Sequence, residues 1–494
     1  MTTNPPVSTA PKSGTHLVLR GGHVVRPQLP ATFGPRPNPQ RQTRFQAYIQ
    51  PRIPGLARGR GDILAGLFAI FALFVFSGSL VELLTPAGAS SSAKVQALGL
   101  LIGAFSFGAL ALRGTIPVIV TTYWTTLLPV AFAGMSILWS VSGGLSLRRL
   151  VGLCVATAFA LWLADRFRRI GVFQFIAGAA FLIVVLNVAV AIAVPSMGVH
   201  PSLTELGEPN PHSGAWRGLF FHKNDFGRMM ALCAMILWIG LTARRQWRLI
   251  CGIGVATAYL GVAGSTSGQA AVLSVVGPAA VYALGRLRPL SPAARATVLV
   301  LAGPVLAVAY VFSSIAFTLI LQALGKDPTL TGRTEIWGGV LQALDGHYLL
   351  GGGFGAGWDI VGERLFILTG ILVGHAHNGY LDLMTDLGIV GLVLMVTFYV
   401  GLIIMATRAF FTGQSHEVAL LAFGVGVFAI VGNWAASFLL LHNSLYWVLP
   451  VVCAATLRRP LAQTASQTHW AGWQHYAARR AGMFTAGVPA GKDA

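Results

Sequence analysis

Residues 375–406 read HAHNGYLDLMTDLGIVGLVLMVTFYVGLIIMA, a polar motif with two histidines that runs directly into a long apolar segment. The apolar part exceeds the near 20 residues a helix needs to cross about 30 Å of hydrocarbon, so it reads as a membrane span with its polar start at the membrane surface. Before it lies an island rich in polar residues and glycine, from Gly332 to Tyr380, which contains GRTEIW at one end and HAHNGY at the other. In a lipid-embedded chain, Arg333 and His377 must face water or serve chemistry.

Working outward, the same apolar pattern recurs along the chain. The composition is 55% hydrophobic and 10% charged, with a mean hydropathy of +0.69, which describes a protein that needs lipid to cover its surface. About twelve spans can be marked, beginning at roughly 63 to 84, 95 to 112, 116 to 139, 149 to 164, 171 to 195 and 227 to 242. The second set covers roughly 249 to 264, 270 to 285, 296 to 321, 381 to 406, 418 to 438 and 443 to 457. The fold class expected is an all-α polytopic membrane protein.

Arginine sets the orientation. Arg113, then Arg166, Arg168 and Arg169, then Arg244, Arg245 and Arg248, then Arg286, Arg288 and Arg295, Arg408, and Arg458 with Arg459 fall in alternate short loops or at the C-terminal end. By the positive-inside rule these loops and both termini are cytoplasmic, and the long loops at roughly 196 to 226 and 322 to 380 are extracytoplasmic. Arg148 and Arg149 dissent from this alternation.

Three regions follow. Residues 1–61 are rich in proline and arginine without an acidic residue, which predicts a disordered basic cytoplasmic arm against anionic lipid. Residues 62–459 form the membrane domain, and 460–494 a basic cytoplasmic tail. The first apolar run starts too far in for a cleaved signal peptide. The net charge of +19 reports topology and lipid contact, since no nucleic-acid-binding pattern accompanies it. Cys154, Cys233, Cys251 and Cys453 lie in or beside apolar spans without CxxC spacing and read as packing residues.

The long loops hold the chemistry. The first ends in WRGLFFHKNDFGRMM, which sets Arg217, His222, Lys223, Asn224 and Arg228 at the membrane surface as an anion-attracting cluster. Arg228 fits a lipid-headgroup anchor, whereas Arg217 fits a binding role better. In TLTGRTEIWGGVLQAL, the spacing of Ile336, Trp337, Val340, Leu341 and Leu344 predicts an amphipathic helix on the membrane surface, with Thr331 as its cap. Arg333 then sits in the first turn, where free N–H groups already favour an anion. The alternative is a surface arginine paired with Glu335. The run LLGGGFGAGWD follows no predicted strand and lacks the Lys-Ser/Thr ending of a phosphate loop, so it reads as a flexible turn.

His375 and His377 are two apart, on one side of a strand or on different faces of a helix. No third-ligand motif makes them a zinc site. A neutral imidazole suits the removal of a proton from a sugar hydroxyl, and His377 is preferred because Asn378 and Tyr380 can orient it or its substrate. Two arginines that clamp a diphosphate and one histidine base form a minimal set for displacing a lipid diphosphate by a sugar hydroxyl. No metal or other cofactor is expected, because arginine can stabilise the leaving group and no DxD-like pair is present.

WRGLFFHKNDFG, GRTEIW and HAHNGYLDLMTDLGIVG, together with LWSVSGGLSLRRLVG near 138 to 152, resemble in order and placement the O-antigen ligase and polymerase superfamily, over about residues 130 to 450. The resemblance implies a GT-C-like membrane fold with a large extracytoplasmic loop before the tenth span. It also implies an inverting, metal-independent glycosyltransferase of the bacterial inner membrane, acting on its periplasmic face on undecaprenyl-diphosphate-linked oligosaccharides. By similarity, Arg217 and Arg333 match donor-diphosphate arginines and His377 the base. His222, Lys223 and Asn224 stand where relatives often have HPN, so lysine replaces proline.

Within that superfamily the likeness leans to exopolysaccharide polymerases of the succinoglycan type, with a flippase and a chain-length regulator as implied partners. A ligase acting on lipid A-core is the alternative. A flippase or exporter is the reading of a different class; it calls for charges near the midplane and spans broken by Gly or Pro.

Overall fold

A computed structural model of the chain describes residues 60–85, 92–168, 171–203, 207–298 and 333–458. The N-terminal arm up to residue 59, the C-terminal tail, most of the expected ninth span and Thr331 lie outside the described residues. Helices α1 (Gly61–Phe76), α2 (Ala93–Leu112), α3 (Ile116–Leu138), α4 (Gly143–Arg166), α5 (Phe173–Ala193), α6 (Lys223–Ala243), α7 (Arg245–Ser265) and α8 (Gly268–Arg286) come first. After the undescribed stretch follow α9 (Arg333–Ala343) and α10 (Trp358–Thr369). The last three are α11 (Gly379–Thr412), α12 (His416–Gly432) and α13 (Leu445–Arg458). Among the described residues no strand forms, only the isolated bridges Val199–Trp216 and Leu203–Pro209.

Eight of the described helices are long and apolar enough to cross a membrane, and α1, α12 and α13 are shorter apolar helices. These eleven match the expected spans one for one, apart from the ninth, and the protein is a multi-pass membrane protein. Helix α6 lies at the centre, with 78% of its apolar window buried, against 28% for α2 and α3. Lipid offers no hydrophobic drive between helices, so close approach through small residues does the work. A Cβ on Gly227 would meet Ser265 Oγ at 2.5 Å, and one on Gly240 would meet Cys251 Sγ at 2.8 Å. Outward-facing Leu101, Trp124, Leu249 and Val275 are exposed, as a lipid-facing surface requires. Cys233, Cys251 and Cys453 pack inside, whereas Cys154 is exposed on α4.

The two ends of the bundle are tied differently. At one end, ion pairs join Arg113 to Asp165 (3.3 Å), Arg166 to Asp62, and Arg244 to Glu417 (2.8 Å). At the other end, loop backbones are stitched together. Trp216 N–H donates to Gly264 O (2.8 Å), Val141 N–H to Gly352 O (3.0 Å) and Gly379 N–H to Asn433 O (2.8 Å). Both long loops and the start of α4 meet at this second end.

Candidate active site

Helix α9, whose first described residue is Arg333, forms where its apolar spacing predicts, but its apolar stripe is covered by protein. Ile336, Val340, Ala343 and Leu344 bury against Val361 and Leu365 of α10 and against Ala376. Sequence reading missed α10 because the glycine run before it dominated the interpretation of that stretch. The hairpin is locked by polar caps: Arg364 donates to the carbonyls of Ala343 (3.1 Å) and Asp345 (3.0 Å), which satisfies the end of α9. Trp337 Nε1 donates to Ala376 O (3.0 Å) and Trp358 Nε1 to Val373 O (2.9 Å), fixing the segment that leads to the histidines.

The glycine run has a specific structural role. Helix α11 breaks at Gly388, where φ is 63° and ψ is −168°, a region essentially reserved for glycine. A break leaves helical carbonyls before it and N–H groups after it without partners. Gly352 and Gly353 donate to the carbonyls of Thr385 (2.8 Å) and Asp386 (2.9 Å), and Ile389 N–H returns a bond to Tyr348 O (2.8 Å). The approach is so close that a Cβ on Gly357 would fall 2.0 Å from Thr385 O, and one on Gly388 would fall 2.2 Å from Leu349 O. The turn read as flexible is therefore a backbone splint across a broken helix.

Between the hairpin and α11, the segment HAHN is neither strand nor helix. His377 adopts a left-handed backbone with φ 52°, a conformation costing roughly 1 kcal/mol for a side-chain-bearing residue, and this sets the His375 and His377 rings 4.0 Å apart. The surroundings hold it. Asn378 is buried and caps α11, its Oδ1 accepting from Tyr380 N (3.0 Å) and Leu381 N (3.3 Å). Asp382 accepts from Ala376 N (2.8 Å) and from Ser437 Oγ.

His375 Nδ1 lies 3.9 Å from Asp382, yet it already accepts His377 N–H (3.1 Å), so its lone pair is used and the contact is no ion pair. Burial first, then Asp225, Arg228 and Arg333, act on His375, with a net downward shift. For His377, burial, then His375 and Arg333, hold the imidazole below its ordinary value, so the neutral base form dominates at neutral pH.

Both histidines open on a cavity of about 600 Å³, lined also by His222, Asn224, Arg228, Arg333, Arg149, Asp382 and Asp386. It thus brings together His377, Arg333, His222 and Asn224 among the residues singled out from sequence. His222 also caps α6, its Nδ1 accepting from Asn224 N (3.1 Å). The others lie apart from the cavity wall. Arg217 Nη1 pairs with Glu82 Oε1 at 2.9 Å, and Lys223 Nζ donates to Thr266 Oγ1 (3.1 Å). Asn378 serves as the cap just described, and the Tyr380 hydroxyl donates to Ile430 O (2.5 Å).

Two cavity arginines were misread or passed over. Arg228, expected as a lipid anchor, has a side chain only 10% exposed, paired with Asp225 and lying over the rings of Phe438 (5.2 Å) and Tyr446 (5.7 Å). Its Nε finds no partner among the described residues. Arg149 entered the sequence reading only as a dissent from topology. Helix α4 starts at the site end, where Arg149 lines the cavity and Arg148 is exposed. Among the described residues, no cluster of three or more His, Cys, Asp or Glu is placed to hold a metal. His200, His212 and His222 do gather, with ring centroids 4.8 to 5.7 Å apart, but His200 Nε2 and His222 Nδ1 each accept a backbone N–H.

Residues 255–396 match the family model described as O-antigen ligase, a stretch that includes Arg333, the glycine run, His377 and the helix break. The chain is also 30% identical over 228 residues to the exopolysaccharide production protein ExoQ of Rhizobium meliloti (strain 1021), covering 43% of this chain and 48% of that relative. The chain therefore spans about half the length of the curated relative it matches. The chain is thus similar to O-antigen ligase proteins over residues 255–396 and to an exopolysaccharide production protein over 43% of its length.

Proposed function

We propose that this protein is a membrane glycosyltransferase of the ligase and polymerase type. On this reading it joins undecaprenyl-diphosphate-linked repeat units into exopolysaccharide at the outer face of the cytoplasmic membrane. The observation that carries the reading is the convergence of a backbone-fixed His377 and Arg333 on one cavity inside the family-matched stretch. The likeness to an exopolysaccharide production protein favours polymerase over ligase.

In the reaction so assigned, an acceptor sugar hydroxyl gives its proton to the His377 imidazole as its oxygen attacks the anomeric carbon. The bond from that carbon to the diphosphate oxygen breaks, the electron pair leaves with the diphosphate, and configuration inverts. Arg333 of α9 takes up the growing negative charge. Arg228, held rigid over two rings, supplies a second cation. Arg217 is assigned to the rim, where its charge bears on His200. Arginine does the work a divalent metal does in other transferases, so no metal enters the scheme.

The Gly388 break is a feature that an exporter would share. It favours the enzyme on closer measure, because Ile389 to Thr412 alone reaches roughly 36 Å, more than the hydrocarbon thickness, so the break falls at the site end. Of the freed backbone groups, Thr385 O, Asp386 O, Ile389 N–H and Val390 N–H are taken by residues 348–353. Replacing His377 and Arg333 separately by alanine, then sizing secreted polymer and lipid-linked repeats, tests the proposal. Single lipid-linked units accumulating on the outer face agree with it; units held on the cytoplasmic face sink it, and transfer onto lipid A-core points to the ligase.

A further inference from the structure

Arg149 lies near the start of α4 and, unlike the exposed Arg148 beside it, is half-buried, where a charge is costly unless something repays it. The nearest carboxylate does not. Asp386 is already served by backbone N–H groups, with Gly357 N donating to its Oδ1 (3.1 Å) and Gly355 also contributing. Arg149 makes no hydrogen bond or ion pair with any described residue, although its charge reaches Asp386 and His442. Its side chain is nonetheless held in place. It lies against the bare face of Gly355, so close that a Cβ there would sit 2.1 Å from Cδ and 2.6 Å from Nη1, and Gly355 has φ 73°. A half-buried guanidinium with five N–H donors, fixed on a cavity wall and lacking an acceptor, is built for an arriving anion.

We propose that Arg149 binds an oxyanion of the substrate and is a third cationic contact of the cavity beside Arg333 and Arg228. This rests on the reading of the cavity as the transferase site. The oxyanion has two sources: the diphosphate of the lipid donor, or an acidic group on the saccharide. Gly355 belongs to the same device, since any side chain there displaces the guanidinium.

The test uses the full-length chain in phosphatidylcholine nanodiscs, titrated calorimetrically with inorganic pyrophosphate and, separately, with glucuronate. Arg149→Gln is expected to weaken binding of one of these anions about ten-fold, Arg149→Lys to recover part of it, and Arg148→Gln, one residue away and exposed, to leave it unchanged. A loss confined to pyrophosphate assigns the diphosphate, and a loss confined to glucuronate assigns the saccharide. Unchanged affinity for both anions in Arg149→Gln, with pyrophosphate binding weakened in Arg333→Gln, overturns this inference alone. If the unsubstituted protein binds neither anion, the inference falls together with the diphosphate reading. If Arg149→Gln does not fold, judged by its melting, the comparison passes to Arg149→Lys, where a loss of about three-fold is expected and unchanged affinity overturns the proposal.

Discussion

At one end of the bundle Arg113, Arg166 and Arg244 have carboxylate partners, Arg244 also lies 4.7 Å over Trp247, and Arg295 lies 4.3 Å over Phe411. At the site end, Arg217 and Arg228 are paired in the same way, but Arg333 and Arg149 have no ion-pair partner among the described residues. A paired arginine in a membrane protein has its cost met by the fold itself. An unpaired one on a cavity wall leaves that cost to be met by a ligand. The contrast separates Arg333 and Arg149, which line the cavity without a carboxylate partner among the described residues, from arginines whose carboxylate partners hold them in place.

The sharpest way to break this division is at the base. His377→Ala is expected to lower polymer formation by about 10² to 10⁴-fold while the protein still melts cooperatively, and polymer of normal length in that variant would remove His377 from the chemistry. Next comes Arg333→Ala, expected to cost about 10²-fold in turnover with no loss of melting temperature, since it breaks no ion pair with a described residue. A fall in melting temperature without a fall in turnover would move Arg333 into the helix-positioning class.

Gly388→Ala tests the splint, not the charges. It forces a Cβ into Leu349 O in a glycine-only conformation and should destabilise the protein by about 3 kcal/mol or more, read as lost yield of monodisperse protein. Turnover should also report the His377 proton. Because its folded pKa lies below the ordinary 6.5, the base stays neutral as pH falls through 6.5, and the acid limb of the rate profile is expected below that value. Arg333→Gln removes a charge that lowers this pKa, so the limb of its residual activity should move upward. The smallest effect belongs to the far end: Arg244→Gln should cost about 1 kcal/mol of stability or less and leave turnover intact.

How far the sequence alone reached follows the same division. Spans were legible because twenty apolar residues in a row have few alternatives, and α9 because its apolar spacing is local. His377 and Arg333 stood out as polar residues at span boundaries. Arg149 did not, because its meaning lies in Gly355, more than two hundred positions away, and local reading saw only a charge on the wrong side. Arg228 misled for the opposite reason, since an arginine in the first turns of a span is usually an anchor, and only the rings of Phe438 and Tyr446 show that it points inward. The break in α11 is hidden because LGIVGL reads as unbroken apolar helix. What forces it open is the backbone of a loop distant in the sequence.

The glycine splint has a consequence for recombination between relatives. Tyr348 to Gly357 and Thr385 to Val390 share a single set of backbone bonds, and Val141 and Ser136 are tied to the same run. Chimeras that exchange the polar island alone would pair one parent's loop with the other parent's helix break, leaving buried donors and acceptors orphaned. Exchangeable units in this fold therefore have to be cut after the break, so that loop and helix travel as one inherited block.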